Sequence, residues 1–159
     1  MQGPIERPWD HTGFVFAALP SLTFGLHKIP SIDNTLFFGG TVGPPGPRPR
    51  RWAVGYQPTF SFGGAERYAA GIFTHRHHLL AMVVGERHLF ASLGGGAAFL
   101  HGPAVVVELE GRLGYVFGKP PLGRALGVIG LMTRVGWNLG KQELYPLPQF
   151  GLFVGVICL

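Results

Sequence analysis

The chain has 159 residues, of which 47% are hydrophobic and only 13% are charged, and its formal net charge is +5. Soluble globular domains carry roughly 25% charged residues, so this chain has too few ionic side chains to cover an ordinary water-facing surface. The length excludes a multidomain enzyme. We therefore treat residues 1–159 as one domain, with a polar N-terminal extension at 1–12.

Membrane-spanning helices are excluded by the distribution of apolar residues. Such a helix needs about 20 mostly apolar residues, and Gly, Pro or a charged residue interrupts every apolar run here well before that length. No signal peptide is visible, because residues 1–12 are polar and contain proline. The other structure that satisfies its backbone inside a bilayer is a closed β-barrel, with strands of about 9–11 alternating residues.

Alternation of apolar and small or polar residues is present along most of the chain. On one segment Trp52, Tyr56 and Phe60 share a face, while Gln57 and Ser61 share the other. The predicted strands, in chain order, cover residues 14–26, 35–42, 52–63, 67–84, 88–100, 105–117, 129–139 and 149–158. The sequence therefore predicts an all-β fold, an antiparallel up-and-down transmembrane β-barrel of about eight strands.

The predicted connections between these strands carry turn residues. Residues 27–34 include Pro30 and Asp33, residues 43–51 are rich in proline, and Gly63-Gly64 interrupts the alternation farther along. At about eight strands the barrel interior is just filled by side chains. We expect the small, polar and charged set to pack there.

Three features resemble the small eight-stranded outer-membrane barrels of Gram-negative bacteria. They are the alternating segments, the Gly-rich strand Ser92–Phe99, and the aromatic-aliphatic final strand Phe150–Leu159. The resemblance covers the whole chain as an architecture and includes no family-specific motif. It implies a location in the bacterial outer membrane.

Basic residues concentrate in alternate connections, which in an up-and-down barrel share one end. This basic rim comprises Arg48, Arg50, Arg51, Arg87, Lys119 and Arg124. At the other end, Lys28, Arg67 and Lys141 are balanced by Asp33, Glu66 and Glu143. The basic rim is interpreted either as a set of solvated turns or as a surface that attracts anionic lipid head groups.

Five further charges fall within strands, on the face opposite the apolar one. They are Arg76, Glu108, Glu110, Arg112 and Arg134. An unpaired buried ion costs several kcal/mol, so we expect these groups to compensate one another in a network that plugs the lumen. The alternative is a path for protons or ions.

Histidines suggest two further possibilities. His75 and His77 are predicted to face the lipid near the start of a strand, either as belt residues or as a metal-binding pair. His78 with Ser92 or Thr74 and a carboxylate such as Glu108 has the composition of a hydrolytic triad. Some outer-membrane lipid A deacylases are barrels of this size, but their His-x-Ser signature is absent. We predict no catalytic set, metal site or cofactor.

The leading hypothesis is a non-enzymatic integral outer-membrane barrel with a structural or interaction role. Its expected partners are membrane lipids or detergent, and lipopolysaccharide or another envelope protein; nucleic acid is not expected, since no basic surface is interleaved with exposed aromatic residues. Two alternatives stay open. One is a lipid A-modifying hydrolase, and the other is a soluble β-protein that assembles through its apolar strands.

Overall fold

The computed structural model describes residues 13–25, 28–42, 51–65, 68–84, 88–99, 105–118, 125–139, 143–144 and 148–158. Within this part of the chain no helix is long and apolar enough to cross a membrane. The strands are β1 (Phe14–Ala18), β2 (Ser21–Gly25), β3 (Lys28–Val42), β4 (Arg51–Ala65), β5 (Tyr68–Val84), β6 (Leu89–Phe99), β7 (Val105–Phe117), β8 (Ala125–Asn138), β9 (Glu143–Leu144) and β10 (Gln149–Cys158).

These strands close into an antiparallel barrel. From β2 to β8 each strand pairs with the next in sequence, and β10 pairs with β8 on one side and with β1 and β2 on the other. Together β1 and β2 make one barrel strand, broken at Leu19–Pro20, and β9 is a short pairing at the end of β8. The described residues thus confirm the predicted up-and-down barrel of eight strands.

The strand registers define the tilt of the barrel. One ring of paired residues runs through Val15, Gly39, Gly55, Leu80, Gly94, Glu110, Arg134, Gln149 and Gly25. The circuit starts at Val15 and returns to the same barrel strand at Gly25, ten residues farther along. With a rise of about 3.3 Å per residue and about 4.8 Å between strands, the strands tilt by about 40° from the barrel axis, within the usual range.

Alternate residues point outward and inward as predicted. On β4, Trp52 and Phe62 are exposed while Gln57 and Ser61 are buried. On β10, which is apolar on both faces, Phe153 points inward and is buried. Every Asp, Glu and Arg whose side chain the structure describes is buried, so none of these charged side chains lies on the described outer surface.

The predicted connection at 27–34 was wrong. β3 begins at Lys28 rather than Thr35, and its register with β2 pairs Asp33 with Ser21. Pro30 lies at a register shift between Lys28 and Ser31, where its missing N–H costs no ladder hydrogen bond. Asp33 is therefore a buried interior residue, and its predicted place at the rim was also wrong. The predicted connection at Gly63-Gly64 was also wrong, because β4 continues through both glycines to Ala65.

The interior differs along the barrel axis. The terminal end, defined as the end where Phe14 and Cys158 lie, holds a buried apolar cluster. This cluster comprises Val15, Ala17, Leu19, Phe37, Ala53, Leu80, Met82, Val84, Phe90, Val116, Leu126, Val128, Met132, Phe153 and Ile157. Buried polar and charged residues lie toward the opposite end. The expectation of a small, polar and charged interior thus holds for only one half, since inward-facing Phe and Met side chains fill the other.

Aromatic side chains lie near both ends of the outer surface. On β4, ten residues separate exposed Trp52 from exposed Phe62, which is about 33 Å along the strand and about 25 Å along the tilted barrel axis. By register, Phe14 and Phe117 lie near the level of Trp52, and Phe99 and Trp137 lie near the level of Phe62. A band of this height between aromatic girdles is typical of outer-membrane barrels.

Candidate functional site

Glu110 on β7 is the centre of the charged part of the interior. Its Oε2 accepts hydrogen bonds from Arg134 Nη2 at 2.5 Å and Arg134 Nε at 2.9 Å. Its Oε1 accepts from Gln57 Nε2 at 2.8 Å and from Arg112 Nε at 3.0 Å. Both carboxylate oxygens are therefore satisfied by donors from β4, β7 and β8.

Arg134 connects residues that are far apart in the sequence. Besides Glu110, its Nη1 donates to Asp33 Oδ2 at 3.0 Å and to Gln149 Oε1 at 3.2 Å. Asp33 lies on β3 and Gln149 on β10, so this one guanidinium joins strands on both sides of the first barrel strand. The side chain is fully buried.

A second pair lies beside the first. Arg76 Nε on β5 donates to Glu108 Oε2 at 2.9 Å, and Arg76 Nη1 donates to the hydroxyl of Ser61. Glu108 Oε2 is also 3.3 Å from His78 Nε2 and 3.9 Å from Arg134 Nε. Arg134 thereby brings the Glu108 and Glu110 groups into a single network.

Arg112 marks the boundary between the polar and apolar halves. Its guanidinium donates to Thr35 Oγ1 at 3.1 Å and to the Leu19 carbonyl at 3.3 Å. The same group lies over the Phe153 ring, 5.4 Å from the ring centroid, an arrangement in which the aromatic face attracts the cation.

The interior network is balanced in formal charge. The described residues place three arginines, Arg76, Arg112 and Arg134, against three carboxylates, Asp33, Glu108 and Glu110. Breaking such a buried pair is strongly unfavourable because it leaves an uncompensated charge. The structure thus brings together all five charged residues singled out in the sequence and adds a sixth, Asp33.

The residues considered for a hydrolytic triad are only partly brought together. His78 contacts Glu108, but it pairs across the strands with Gly96, whereas Ser92 pairs with Met82. Four residues of β6 separate Gly96 from Ser92, which is about 13 Å along the strand. Thr74 is likewise four residues from His78 on β5. The geometry places neither hydroxyl beside the imidazole, and the His78 side chain is fully buried.

Both predicted lipid-facing histidines lie on the outward face of β5, and their depths differ. His75 pairs with Phe60 and Phe99, close to the aromatic level of Phe62, whereas His77 pairs with Pro58 and Ala97, two residues farther into the apolar band. His77 is exposed and its Nδ1 forms a hydrogen bond with the Tyr56 hydroxyl, while His75 is half-buried. Across the described residues no group of three or more His, Cys, Asp or Glu side chains could hold a metal ion.

The basic rim falls largely outside the described residues. Arg48, Arg50, Arg87, Lys119 and Arg124 are not described, and for Arg51 only the backbone is described, at the start of β4. The strands that these connections join do end together at the terminal end of the barrel. The N-terminal extension at 1–12 also lies outside the described residues.

Several members of the network were not selected from the sequence. Asp33 was assigned to a turn, and Gln57, Gln149 and Thr35 were not singled out as network members. The signal for Gln57 was available, since it alternates with exposed Tyr56 on a strand whose inward face was predicted correctly. Gln149 and Asp33 meet Arg134 only because the barrel closes, which no local pattern shows.

The closed eight-stranded barrel with an apolar outer face and a charged interior defines the class of small barrels of the outer-membrane type. A scan against family models and a search of curated proteins find no match. Among solved structures, the chain is similar to the crystal structure of Neisserial surface protein A, an eight-stranded outer-membrane barrel, with a TM-score of 0.52 and 10% sequence identity. The alignment covers 91% of this chain and 95% of that chain. This likeness confirms the fold that the sequence resemblance implied.

Proposed function

We propose that this protein is an integral outer-membrane barrel with a structural or interaction role and a lumen closed to ions. The observation that carries the proposal is that two layers of buried side chains follow each other along the barrel axis. The apolar cluster around Phe37, Phe90 and Phe153 occupies the terminal half, and the network around Glu110 and Arg134 occupies the next layer. An eight-stranded barrel is just wide enough for side chains to fill its interior, which supports a closed lumen.

Membrane residence is supported by the outer surface. Large hydrophobic side chains such as Leu131 (62% exposed) and Leu79 (71% exposed) point outward at mid-height. Contiguous exposed apolar surface of this kind marks contact with a membrane or another protein. A barrel closed through β10 and β1 also has paired edges, which argues against assembly by strand addition.

Ion conductance across planar lipid bilayers tests the proposal of a closed lumen. We expect no steady single-channel current from the folded barrel, because the charged layer and the apolar cluster block the path. Folding is verified separately by gel migration, because a folded barrel and the same chain unfolded by heating migrate at different rates. A stable current from barrels that pass this folding check would contradict the proposal.

The basic rim is the proposed contact with anionic lipid head groups. Each Lys or Arg near a membrane surface contributes roughly 1 kcal/mol of attraction to anionic lipid. A variant carrying Arg48→Gln, Arg50→Gln and Arg51→Gln is expected to lose any preference for inserting into anionic over zwitterionic vesicles at low salt. An unchanged preference would contradict this role for the rim.

The hydrolase alternative gains no support from the site. A triad needs a nucleophile within hydrogen-bond reach of its base, and neither Ser92 nor Thr74 is positioned beside His78. His78 is also buried away from the lipid-facing surface where an acylated substrate would lie. The interaction role is therefore the function that the geometry supports best.

A further inference from the structure

The outer surface of the barrel carries a group of polar side chains on one side, within the apolar band. On β3, β4 and β5 the outward positions include a set that we name the polar patch: Asn34, Tyr56, Pro58 and His77, which lie beside the exposed side chains of Phe60 and Leu79. At similar heights the opposite side presents Leu109 on β7, Leu131 on β8 and Leu152 and Val154 on β10, with Thr133 as the polar exception. The barrel therefore has two chemically different sides within its apolar band.

The members of the polar patch are neighbours. His77 pairs with Pro58 across the strands and forms a hydrogen bond with Tyr56. His75, whose ring centroid is 5.6 Å from that of His77, lies outside the patch, beside Phe99 near the aromatic level. Asn34 is exposed and pairs with Phe60, two residues from Pro58. Pro58 itself cannot donate a ladder hydrogen bond, and the β3–β4 pairing skips from Thr35–Thr59 to Phe38–Tyr56 at this point.

The depth of the patch separates it from both membrane surfaces. Pro58 is six residues from Trp52 and four from Phe62 along β4, so it lies between the two aromatic levels. Lipid tails offer no hydrogen-bonding groups, and polar side chains facing them are unfavourable. Lipid head groups lie at and beyond the aromatic levels. A polar partner at the same depth would satisfy the exposed amide and imidazole groups.

We propose that the β3–β5 face is the interface of a homodimer whose two-fold axis runs along the membrane normal. An amide, a neutral imidazole and a phenol each donate and accept hydrogen bonds, so the patch is complementary to itself. The membrane holds two copies in the same orientation and at the same depth, so the patch of one copy faces that of the other, as a two-fold interface requires. The proposal rests on the membrane location given above, which flotation of the protein with lipid vesicles tests independently.

Site-specific cross-linking in lipid vesicles tests the position of the interface. In a Cys158→Ser background, Phe60→Cys places a thiol beside the patch, and Leu152→Cys places a matched exposed thiol on the opposite side. With a flexible thiol cross-linker at low protein-to-lipid ratio, we expect a covalent dimer from Phe60→Cys and little from Leu152→Cys. Equal yields, or no dimer from either variant, would overturn the proposal.

Variants of the patch test whether its polar groups hold the dimer together. Asn34→Leu and His77→Leu should each raise the dissociation constant of the dimer in vesicles about threefold, and the double variant about tenfold, because membrane hydrogen bonds are individually modest. Thr133→Leu on the opposite side should leave it unchanged. All variants must keep heat-dependent migration. An unweakened dimer in the double variant would overturn the proposal, as would capture of a different protein or a retained glycolipid by the patch in place of a second copy.

Discussion

At the scale of single residues, the interior depends on reciprocal pairing of charges. The guanidinium of Arg134 donates hydrogen bonds to both Glu110 and Asp33, and Gln149 accepts a third from the same group. A charge removed from water is stabilised only while its partners remain in place. Loss of Arg134 would affect two carboxylates at once, because Asp33 would lose its ion-pair partner and Glu110 would keep only Arg112.

Replacing Arg134 should destabilise the folded barrel strongly. Arg134→Gln leaves Asp33 without a cation and Glu110 with Arg112 alone, and breaking a buried pair costs about 3–5 kcal/mol. Denaturant unfolding in lipid vesicles, followed by tryptophan fluorescence, measures the free energy of unfolding. Thr133→Ala, an outward neighbour on the same strand, is the control and should change it by less than about 0.5 kcal/mol.

A coupled variant separates charge imbalance from lost packing. If imbalance is the cause, Glu110→Gln combined with Arg134→Gln should cost less than the sum of the two single variants, because the double change restores neutrality. Strictly additive losses would show that the two side chains act independently. That result would contradict the description of one connected network.

At the scale of strands, much of the barrel follows from alternation. A slip of one residue moves every side chain to the other face, so the contrast between Trp52 and Gln57 identifies both the strand and its orientation. The start of β3 was missed because Pro30 and Asp33 have the chemistry of a turn. The contacts of Asp33 were missed for a different reason, since the register around a closed barrel depends on all the strands together.

Gly96 on β6 shows how closely neighbouring strands approach. A Cβ at this position would lie 1.9 Å from the His77 carbonyl oxygen. Gly96→Ala should therefore force the strands apart and cost about 1–3 kcal/mol of unfolding free energy. The matched control is Gly111→Ala on β7, where the nearest atom would be 3.7 Å away. Equal unfolding midpoints for the two variants in denaturant would contradict the close packing of β5 against β6.

At the scale of the whole molecule, the structure shows where the few described charged side chains lie. The described Asp, Glu and Arg side chains lie inside the barrel, where three cations meet three carboxylates. Among the side chains that the structure describes, the outer surface between the aromatic levels is mainly apolar, with polar residues at the patch on β3–β5, at His75 and at Thr133. The composition alone predicts a surface poor in charge. The closed strand order then separates the outward residues of the apolar band from the inward residues that pack against one another in the interior.

Spin-label accessibility along β7 tests the central claim most directly, that an apolar-faced barrel spans a membrane around a filled interior. Single cysteines would be placed from Val105 to Phe117 in a Cys158→Ser background and labelled in lipid vesicles. We expect collision with oxygen to alternate with a period of two, high at Val107, Leu109 and Leu113 and low at inward positions, with low exposure to a water-soluble relaxation agent throughout the centre of the strand. High exposure of the outward set to the water-soluble agent, or no alternation, would contradict the claim.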